Sequence, residues 1–288
     1  ISDAKGLYFI NPTGIEDKPQ QIWTQGETEA SSCWFPTIDR PNERMTQNIA
    51  ITVKDEFITL SNGLLVKSIK NEDGSRTDFW EQKLPHVPYL AMLAVGDFNI
   101  TTERWKDINV DYYLEDDYHQ YAKSVFGRTP QMIAHFSEIL GVEYPWEKYA
   151  QIVVRDFVSG AMENTTAVIH GEFVQMTDRE LLDDHQDDII AHELFHHWFG
   201  DLVTCESWAN LPLNESFATY GEYIWREKGF GRMEADMHLD ADLKNYLRES
   251  QSKKVDMIRF DYIDKEDMFD SHSYAKGGRI LHMLRHYL

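Results

Sequence analysis

The first part of the chain consists of short apolar runs that are separated by turn residues. Residues 49–53 alternate apolar and polar side chains at every second position, which is typical of a half-buried strand. Ser-Asn-Gly at 61–63 and Glu-Asp-Gly at 72–74 each predict a hairpin turn between the apolar runs on either side. Residues 89–98 predict one more strand. This pattern favours an antiparallel β-sandwich or saddle-shaped sheet, to which we assign residues 1–111.

In the rest of the chain the spacing of apolar positions becomes helical. Residues 116–126 are predicted to be helical, and so are residues 129–140, which begin with Thr-Pro and are followed by glycine. Two apolar runs, at 149–157 and 167–173, predict strands. Helices interleaved with strands favour a mixed α/β domain over residues 112–288. The predicted fold class is therefore α+β.

Two further helices are predicted where the polar chemistry is concentrated. The first follows an acidic run at 183–188 and extends to about Phe199, where Gly200 ends it. The acidic run suits the positive end of the helix dipole, and we assign it that role. The second helix begins near Pro212 and ends before Gly229. Because the connection between them is short, the two helices are expected to be antiparallel neighbours.

Four side chains on these helices form the pattern of a catalytic metal site. His192 and His196 are four positions apart, so their imidazoles project from one helix face and can bind one metal ion. Glu193 lies beside them, and Glu215 can supply a third ligand from the second helix. Two histidines and one carboxylate leave one coordination position open, which is typical of a catalytic zinc site rather than a structural one.

Composition and charge narrow the possible partners. The chain has 288 residues, 42% of them hydrophobic, which is enough for a substantial core. Its net charge of −21 disfavours nucleic acid or an anionic membrane as a partner. The charge either attracts cations such as Zn²⁺ or an ammonium group, or only keeps the protein soluble. No run of apolar residues is long enough to predict a membrane span. Two cysteines, Cys33 and Cys205, are too few for a disulfide framework or a cysteine-based zinc site.

Four segments, in the same order along the chain, resemble the M1 family of zinc aminopeptidases. Gly-Ala-Met-Glu-Asn at 160–164 is similar to the family's exopeptidase motif. Residues 192–196 together with Glu215 resemble its zinc motif. Ser-Tyr-Ala-Lys-Gly at 273–277 resembles the segment of its catalytic tyrosine, and Gln-Gly-Glu at 25–27 resembles the recognition segment of its amino-terminal domain.

The resemblance implies a thermolysin-like catalytic domain with one zinc ion per chain. It implies hydrolysis of the N-terminal peptide bond of peptides by water that the metal activates. The expected zinc ligands are His192, His196 and Glu215. Glu193 is expected to act as general base, and Tyr274 is expected to donate a hydrogen bond to the oxyanion that forms.

The resemblance also implies how a free N-terminus would be selected. Glu163 and Glu27 are expected to bind the ammonium group of the substrate, which internal peptide bonds lack. Gly160 and Ala161 would let the substrate backbone pair along a strand edge. Three more substrate contacts are assigned to the same two segments: Gln25, Met162 and Asn164. For Glu27, which has several acidic neighbours, an ordinary solvated carboxylate is a competing interpretation.

Some residues beside the motifs differ from the commonest family pattern. His197, Asp201, Pro212 and Ser216 stand where members more often carry Gln, Asn, Trp and Gly. His197 projects about 100° away from His196 around the helix, so we predict that it packs rather than binds metal. Because members usually have more β-structure before the first strand and more helices after the tyrosine, we expect both domains to be incomplete in this chain.

Three other functions stay open at this point. A thermolysin-like endopeptidase would share the zinc motif but would give residues 160–164 and Glu27 no role. An epoxide hydrolase with a side peptidase activity is a second alternative, which no residue selects. A non-catalytic scaffold is a third, although such a protein should have lost Glu193, a zinc ligand or Tyr274, and all of them are present. The expected partners are peptides with a free N-terminus.

Overall fold

The computed structural model describes residues 5–288, and within that range twelve strands form three sheets. The strands are β1 (Gly6–Ile10), β2 (Gln21–Gln25), β3 (Met45–Lys54), β4 (Ile58–Ser61), β5 (Leu64–Lys70), β6 (Ser75–His86), β7 (Leu93–Gly96), β8 (Asn99–Trp105), β9 (Ile108–Leu114), β10 (Lys148–Val154), β11 (Ala161–Met162) and β12 (Ala167–Gly171).

The first two sheets are antiparallel and come from the first part of the chain. One has the strand order β1-β2-β7-β4 and the other β3-β6-β5. The third has the order β11-β12-β10-β9-β8; its three inner strands are parallel and its two edge strands antiparallel. The predicted α+β class is confirmed. The predicted boundary between residues 111 and 112 falls within β9, and the division into 1–111 and 112–288 stays a prediction.

Two strand predictions from the first part of the chain are wrong. Residues 61–63 do not close a hairpin, because β4 pairs with β7 whereas β5 pairs with β6, so the chain passes there from one sheet to another. Residues 89–98 are not one strand: Pro88–Leu90 forms a 3-10 turn, which suits a proline that cannot donate to a strand ladder. The turn at 72–74 does join β5 to β6, with Gly74 at φ +82°.

Seven α-helices accompany the third sheet within the described range. They are α1 (Asp116–His119), α2 (Ala122–Phe126), α3 (Thr129–Leu140), α4 (Asp187–Phe195), α5 (Pro212–Gly229), α6 (Arg232–Glu249) and α7 (Gly277–Tyr287). The helix predicted over residues 116–126 is thus two short ones. The helix predicted over 129–140 is confirmed, although the Thr129 hydroxyl donates to the Phe126 carbonyl instead of capping α3. None of these helices is both long and apolar enough to cross a membrane.

The acidic run does more than compensate the dipole of α4. Asp187 and Asp188 lie in the first turn, as expected, and no side-chain cap forms there. Asp187 accepts a hydrogen bond from the Trp225 indole at 2.7 Å, and Asp188 forms an ion pair with Arg226. Both partners belong to α5. These contacts join the beginning of α4 to the end of α5.

Candidate active site

Helices α4 and α5 run antiparallel, as predicted, and their close contact sets the geometry of the site. Asp188 meets Arg226 at one end, and His196 meets Glu215 at the other. Gly221 permits this approach, because a Cβ atom added there would lie 2.6 Å from Cγ of Phe195. The two helices can therefore bring side chains from both into one cluster.

The three predicted zinc ligands meet at this contact. Oε2 of Glu215 lies 3.2 Å from Nε2 of His192 and 3.4 Å from Nε2 of His196. Ligands that bind one zinc ion tetrahedrally at about 2.1 Å are about 3.4 Å apart, so the donor set fits zinc. Burial opposes ionisation of Glu215, but the imidazoles outweigh it and lower its pKa below the usual range. The carboxylate is therefore ionised, as a ligand must be.

The remaining ring nitrogens of both histidines are occupied by other partners. Nδ1 of His192 lies 2.6 Å from Oε1 of Glu222, and Nδ1 of His196 lies 3.0 Å from the Phe199 carbonyl oxygen. A nitrogen that donates in this way leaves the opposite nitrogen, Nε2, as the one that can bind a metal. The hydrogen-bond partners of the two histidines thus also suit a zinc site.

Glu222 is one of the residues that the sequence analysis missed. Its second oxygen lies 2.9 Å from Nε2 of His238, which brings α6 into the site. Glu222 is seven positions after Glu215, and therefore two turns along the same face of α5. That spacing is the local signal that could have identified it.

Glu193 and Tyr274 both face the cluster. Glu193 is buried, and among the described residues its Oε2 has no hydrogen-bond partner. Burial raises the pKa of Glu193, which suits a group that must accept and then return a proton. The Tyr274 ring lies parallel to that of His192, with 6.1 Å between centroids. Burial and the nearby carboxylates raise the pKa of Tyr274 well above its usual value, so the phenol stays a hydrogen-bond donor at neutral pH.

A cleft of about 450 Å³ opens over these side chains. Its walls include the three predicted ligands with Glu193 and Tyr274, and also four of the predicted substrate contacts: Glu27, Gly160, Ala161 and Glu163. Ala161 lies in β11, an edge strand of the third sheet. The exposed edge of that strand can therefore pair with an extended peptide in the cleft.

Three predicted substrate contacts do not line this cleft. Met162 and Asn164 are buried, and the Asn164 amide donates to the Leu90 carbonyl at 3.4 Å. Gln25 lines an adjoining cleft of about 410 Å³, and its Nε2 lies 3.3 Å from the Met162 sulfur. The contact of these three residues with substrate stays a prediction.

Glu163 and Glu27 place two carboxylates close to the predicted ligand Glu215. One oxygen of each of the three lies within 4.8 Å of the others. Burial raises the pKa of both Glu163 and Glu27, and the charge of Glu163 raises that of Glu27 further. Oε1 of Glu27 is buried and lacks a hydrogen-bond partner among the described residues. This part of the cleft therefore suits a cation.

Tyr89 and Asn214 hold Glu163 in place, and the sequence analysis missed both. The Tyr89 hydroxyl donates to Oε1 of Glu163 at 3.3 Å, and the Asn214 amide donates to that hydroxyl at 3.0 Å. Tyr89 is 74 positions from Glu163, so no local spacing indicates the contact.

His197 packs as the sequence predicts and has no free nitrogen for a metal. Its Nε2 accepts from the Thr166 backbone N–H at 3.0 Å, and its Nδ1 donates to the Glu193 carbonyl at 3.2 Å. This arrangement requires the neutral ring, and burial lowers the pKa of His197 to about 3.

Comparison with known proteins identifies the family of the chain. The model of the peptidase family M1 domain matches residues 125–288, and that of the peptidase M1 N-terminal domain matches residues 2–90. The chain belongs to peptidase family M1.

Several curated M1 relatives are similar over most of the chain. Tricorn protease-interacting factor F2 of Thermoplasma volcanium is 31% identical over 100% of this chain and 37% of its own length. Glutamyl aminopeptidase of Bos taurus is 32% identical over 88% of this chain and 28% of its own. Aminopeptidase M1 of Arabidopsis thaliana is 30% identical over 99% of this chain and 33% of its own length. The chain thus spans about a third of the length of these relatives.

Proposed function

We propose that the chain is a zinc-dependent aminopeptidase that hydrolyses the N-terminal peptide bond of peptides. The observation that carries this proposal is the pair of carboxylates, Glu27 and Glu163, beside the candidate zinc ligands in one cleft. An endopeptidase has no use for such a pair, because an internal peptide bond brings no positive charge. A substrate ammonium would bring a positive charge between the two carboxylates and supply the hydrogen-bond donors that they need.

The chain's own residues can carry the remaining chemistry. When bound to His192, His196 and Glu215, zinc supplies Lewis acidity toward the scissile carbonyl and the attacking water. Glu193 takes a proton from that water and delivers it to the leaving amine. Tyr274 donates a hydrogen bond to the oxygen on which negative charge develops.

The residues that line the cleft suggest how the substrate would be bound. The ammonium group lies between Glu27 and Glu163, and the first peptide unit pairs with the edge of β11. Because these carboxylates lie within one residue's length of the candidate ligands, only the first peptide bond reaches the reacting groups. The same arrangement limits the product to a single amino acid per cleavage.

A panel of aminoacyl chromogenic substrates, each with a free and an N-acetylated amine, tests the proposal. We expect the free-amine forms to be turned over much faster than the acetylated forms, with loss of turnover on adding a chelator and recovery with Zn²⁺. Glu193→Gln should keep the zinc and lose about 10²- to 10⁴-fold in kcat. Equal rates on acetylated substrates would indicate an endopeptidase. A protein that binds no zinc and turns over no substrate would be a scaffold.

A further inference from the structure

Tyr274 lies on a single π-helical turn, His272–Lys276, directly before α7. Turns of this kind are rare and are found often at functional sites. The direction of the Tyr274 side chain depends on this turn, so contacts that fix the turn also fix the hydroxyl. Two such contacts come from side chains outside the cleft.

The first contact is made by Asp270, whose side chain is only 2% exposed. Its Oδ1 accepts the backbone N–H of His272 at 3.0 Å and that of Ser273 at 3.1 Å. Its Oδ2 lies 2.6 Å from Nη1 of Arg259 and 2.7 Å from Nζ of Lys253. The carboxylate therefore accepts from two backbone donors at the start of the turn, and two cations compensate its burial.

The second contact joins the turn to α5. The hydroxyl of Ser216 donates to the Ser273 carbonyl at 2.6 Å, and Ser216 directly follows the candidate ligand Glu215. Gly277 lies against the same hydroxyl, since a Cβ atom added there would be 1.7 Å from Oγ of Ser216. The end of the turn thus packs so closely against α5 that no side chain fits at Gly277.

We propose that Ser216 and Asp270 are positioning residues, which set the Tyr274 hydroxyl relative to the Glu215 carboxylate. Neither of them lines the cleft. Ser216 donates to the Ser273 carbonyl, directly before Tyr274, and Asp270 accepts from the Ser273 N–H. The two side chains thus hold the same part of the turn by its acceptor and by its donor. This inference rests on the proposed role of Tyr274.

The proposal makes a specific kinetic prediction for Ser216→Ala. Without the hydroxyl, the Ser273 carbonyl loses its partner and the turn can shift, so Tyr274 donates less well to the developing oxyanion. An interaction made only in the transition state lowers kcat and leaves KM unchanged when it is lost. We expect kcat to fall about tenfold, with unchanged zinc content.

A double-mutant cycle separates positioning from a general structural effect. In the Tyr274→Phe background, Ser216→Ala should cause no further loss of kcat, because the hydroxyl that it positions is already absent. Ser137→Ala is the matched control: Ser137 is also buried, and its hydroxyl donates to the Ile133 carbonyl at 2.7 Å within α3. The control should keep full kcat. A tenfold loss from Ser216→Ala in both backgrounds would overturn the proposal.

Hydrogen exchange of the backbone amides in residues 272–276 gives a readout that needs no turnover. Ser216→Ala should exchange about tenfold faster there than the parent chain, and Asp270→Asn should do the same at His272 and Ser273. Unchanged exchange in both variants would overturn the positioning role. If the parent chain cleaves no substrate but exchange responds as expected, the proposed function fails and the structural link between α5 and the turn stands.

Discussion

The proposed function assigns recognition of the substrate amine to single side chains, and Glu163 is the clearest case. Its carboxylate is buried, is held by the Tyr89 hydroxyl and faces the cleft. Glu163→Gln keeps the shape and removes the charge, so kcat/KM for a free-amine substrate should fall about 10- to 100-fold, as expected for one charge-assisted hydrogen bond. Residual cleavage of an N-acetylated substrate should not change. Kinetics on the matched pair of substrates measures both effects.

Glu143→Gln is the control for that experiment, because Glu143 is an exposed glutamate that pairs with Lys106 away from the cleft. It should leave both rates as they are. If Glu163→Gln slowed the free and the acetylated substrate by the same factor, Glu163 would have no part in recognising the amine.

Glu222 should determine how tightly the site binds zinc. Because it orients His192 through Nδ1, Glu222→Gln should weaken zinc binding about 10- to 100-fold, which competition with a chromogenic chelator can measure. Glu227→Gln is a matched change on the same helix, where Glu227 pairs with Arg285 at 2.9 Å. An equal effect of both substitutions would mean that the contact with His192 does not matter for binding.

The residues that the sequence could predict are those whose partners are close in sequence or belong to a known motif. His192, Glu193 and His196 follow from the period of one helix. Tyr89, by contrast, contacts Glu163 across 74 positions, and only the folded chain shows it. Glu222 lies between these cases, since it shares a helix face with Glu215 but its contact with His192 depends on how two helices pack.

Among the elements, the packing of α4 against α5 has the most direct effect on the site. Gly221→Ala would place a methyl group 2.6 Å from Cγ of Phe195 and push the two helices apart. We expect a loss of about 1–3 kcal/mol in the free energy of unfolding, as is usual for overpacking, together with weaker zinc binding because Glu215 moves. Urea unfolding of the zinc-free protein and a zinc titration measure the two effects.

Gly229→Ala, on the same helix, provides the control. The nearest atom to an added Cβ there is 3.5 Å away, in Trp225, which is an ordinary contact. Stability should stay the same or rise by up to about 1 kcal/mol, because alanine favours helix over glycine. A similar loss for both variants would show that the helix contact at Gly221 is not tight.

Element boundaries were predictable where the signal is local. Proline at the start and glycine at the end define α5 as expected, and Gly141 ends α3 at φ +64°. The pairing of β4 was not predictable, because its partner β7 is more than thirty positions away and the turn signal at 61–63 favours the nearer strand. Strand pairing depends on distant residues, whereas these helix ends do not. The end of α4 was predicted less well, because α4 stops at Phe195 and not at about Phe199.

Over the whole molecule, Asn62 joins the first part of the chain to the sheet beneath the site. Its amide donates to the carbonyls of Leu90 and Thr165, each at 2.8 Å, and its Oδ1 accepts from Met92 at 2.7 Å. Thr165 is two positions after Glu163. A residue that was predicted to turn a hairpin therefore supports the wall of the cleft that carries Glu163.

Lys148 strengthens the same junction. Its buried ammonium donates to the carbonyls of Ser61 and Gly63 and to the Thr166 hydroxyl. The Gly63 backbone N–H donates to that hydroxyl as well, at 2.8 Å. The hydrogen bonds of residues 61–63 thus form a buried polar junction between β4 and β10.

Asn62→Ala should therefore damage both stability and activity. It leaves the Thr165 carbonyl and the Met92 N–H buried without partners and removes one of the two donors to the Leu90 carbonyl, so the free energy of unfolding should fall by about 3 kcal/mol in a urea titration. Because Thr165 loses its anchor, kcat/KM for free-amine substrates should fall as well. Asn71→Ala is the comparison: Asn71 bonds to Ser75 and Thr77 within a part-exposed hairpin, and its loss should cost less than about 1 kcal/mol. Equal losses from the two substitutions would mean that the junction at Asn62 is no stronger than a surface turn.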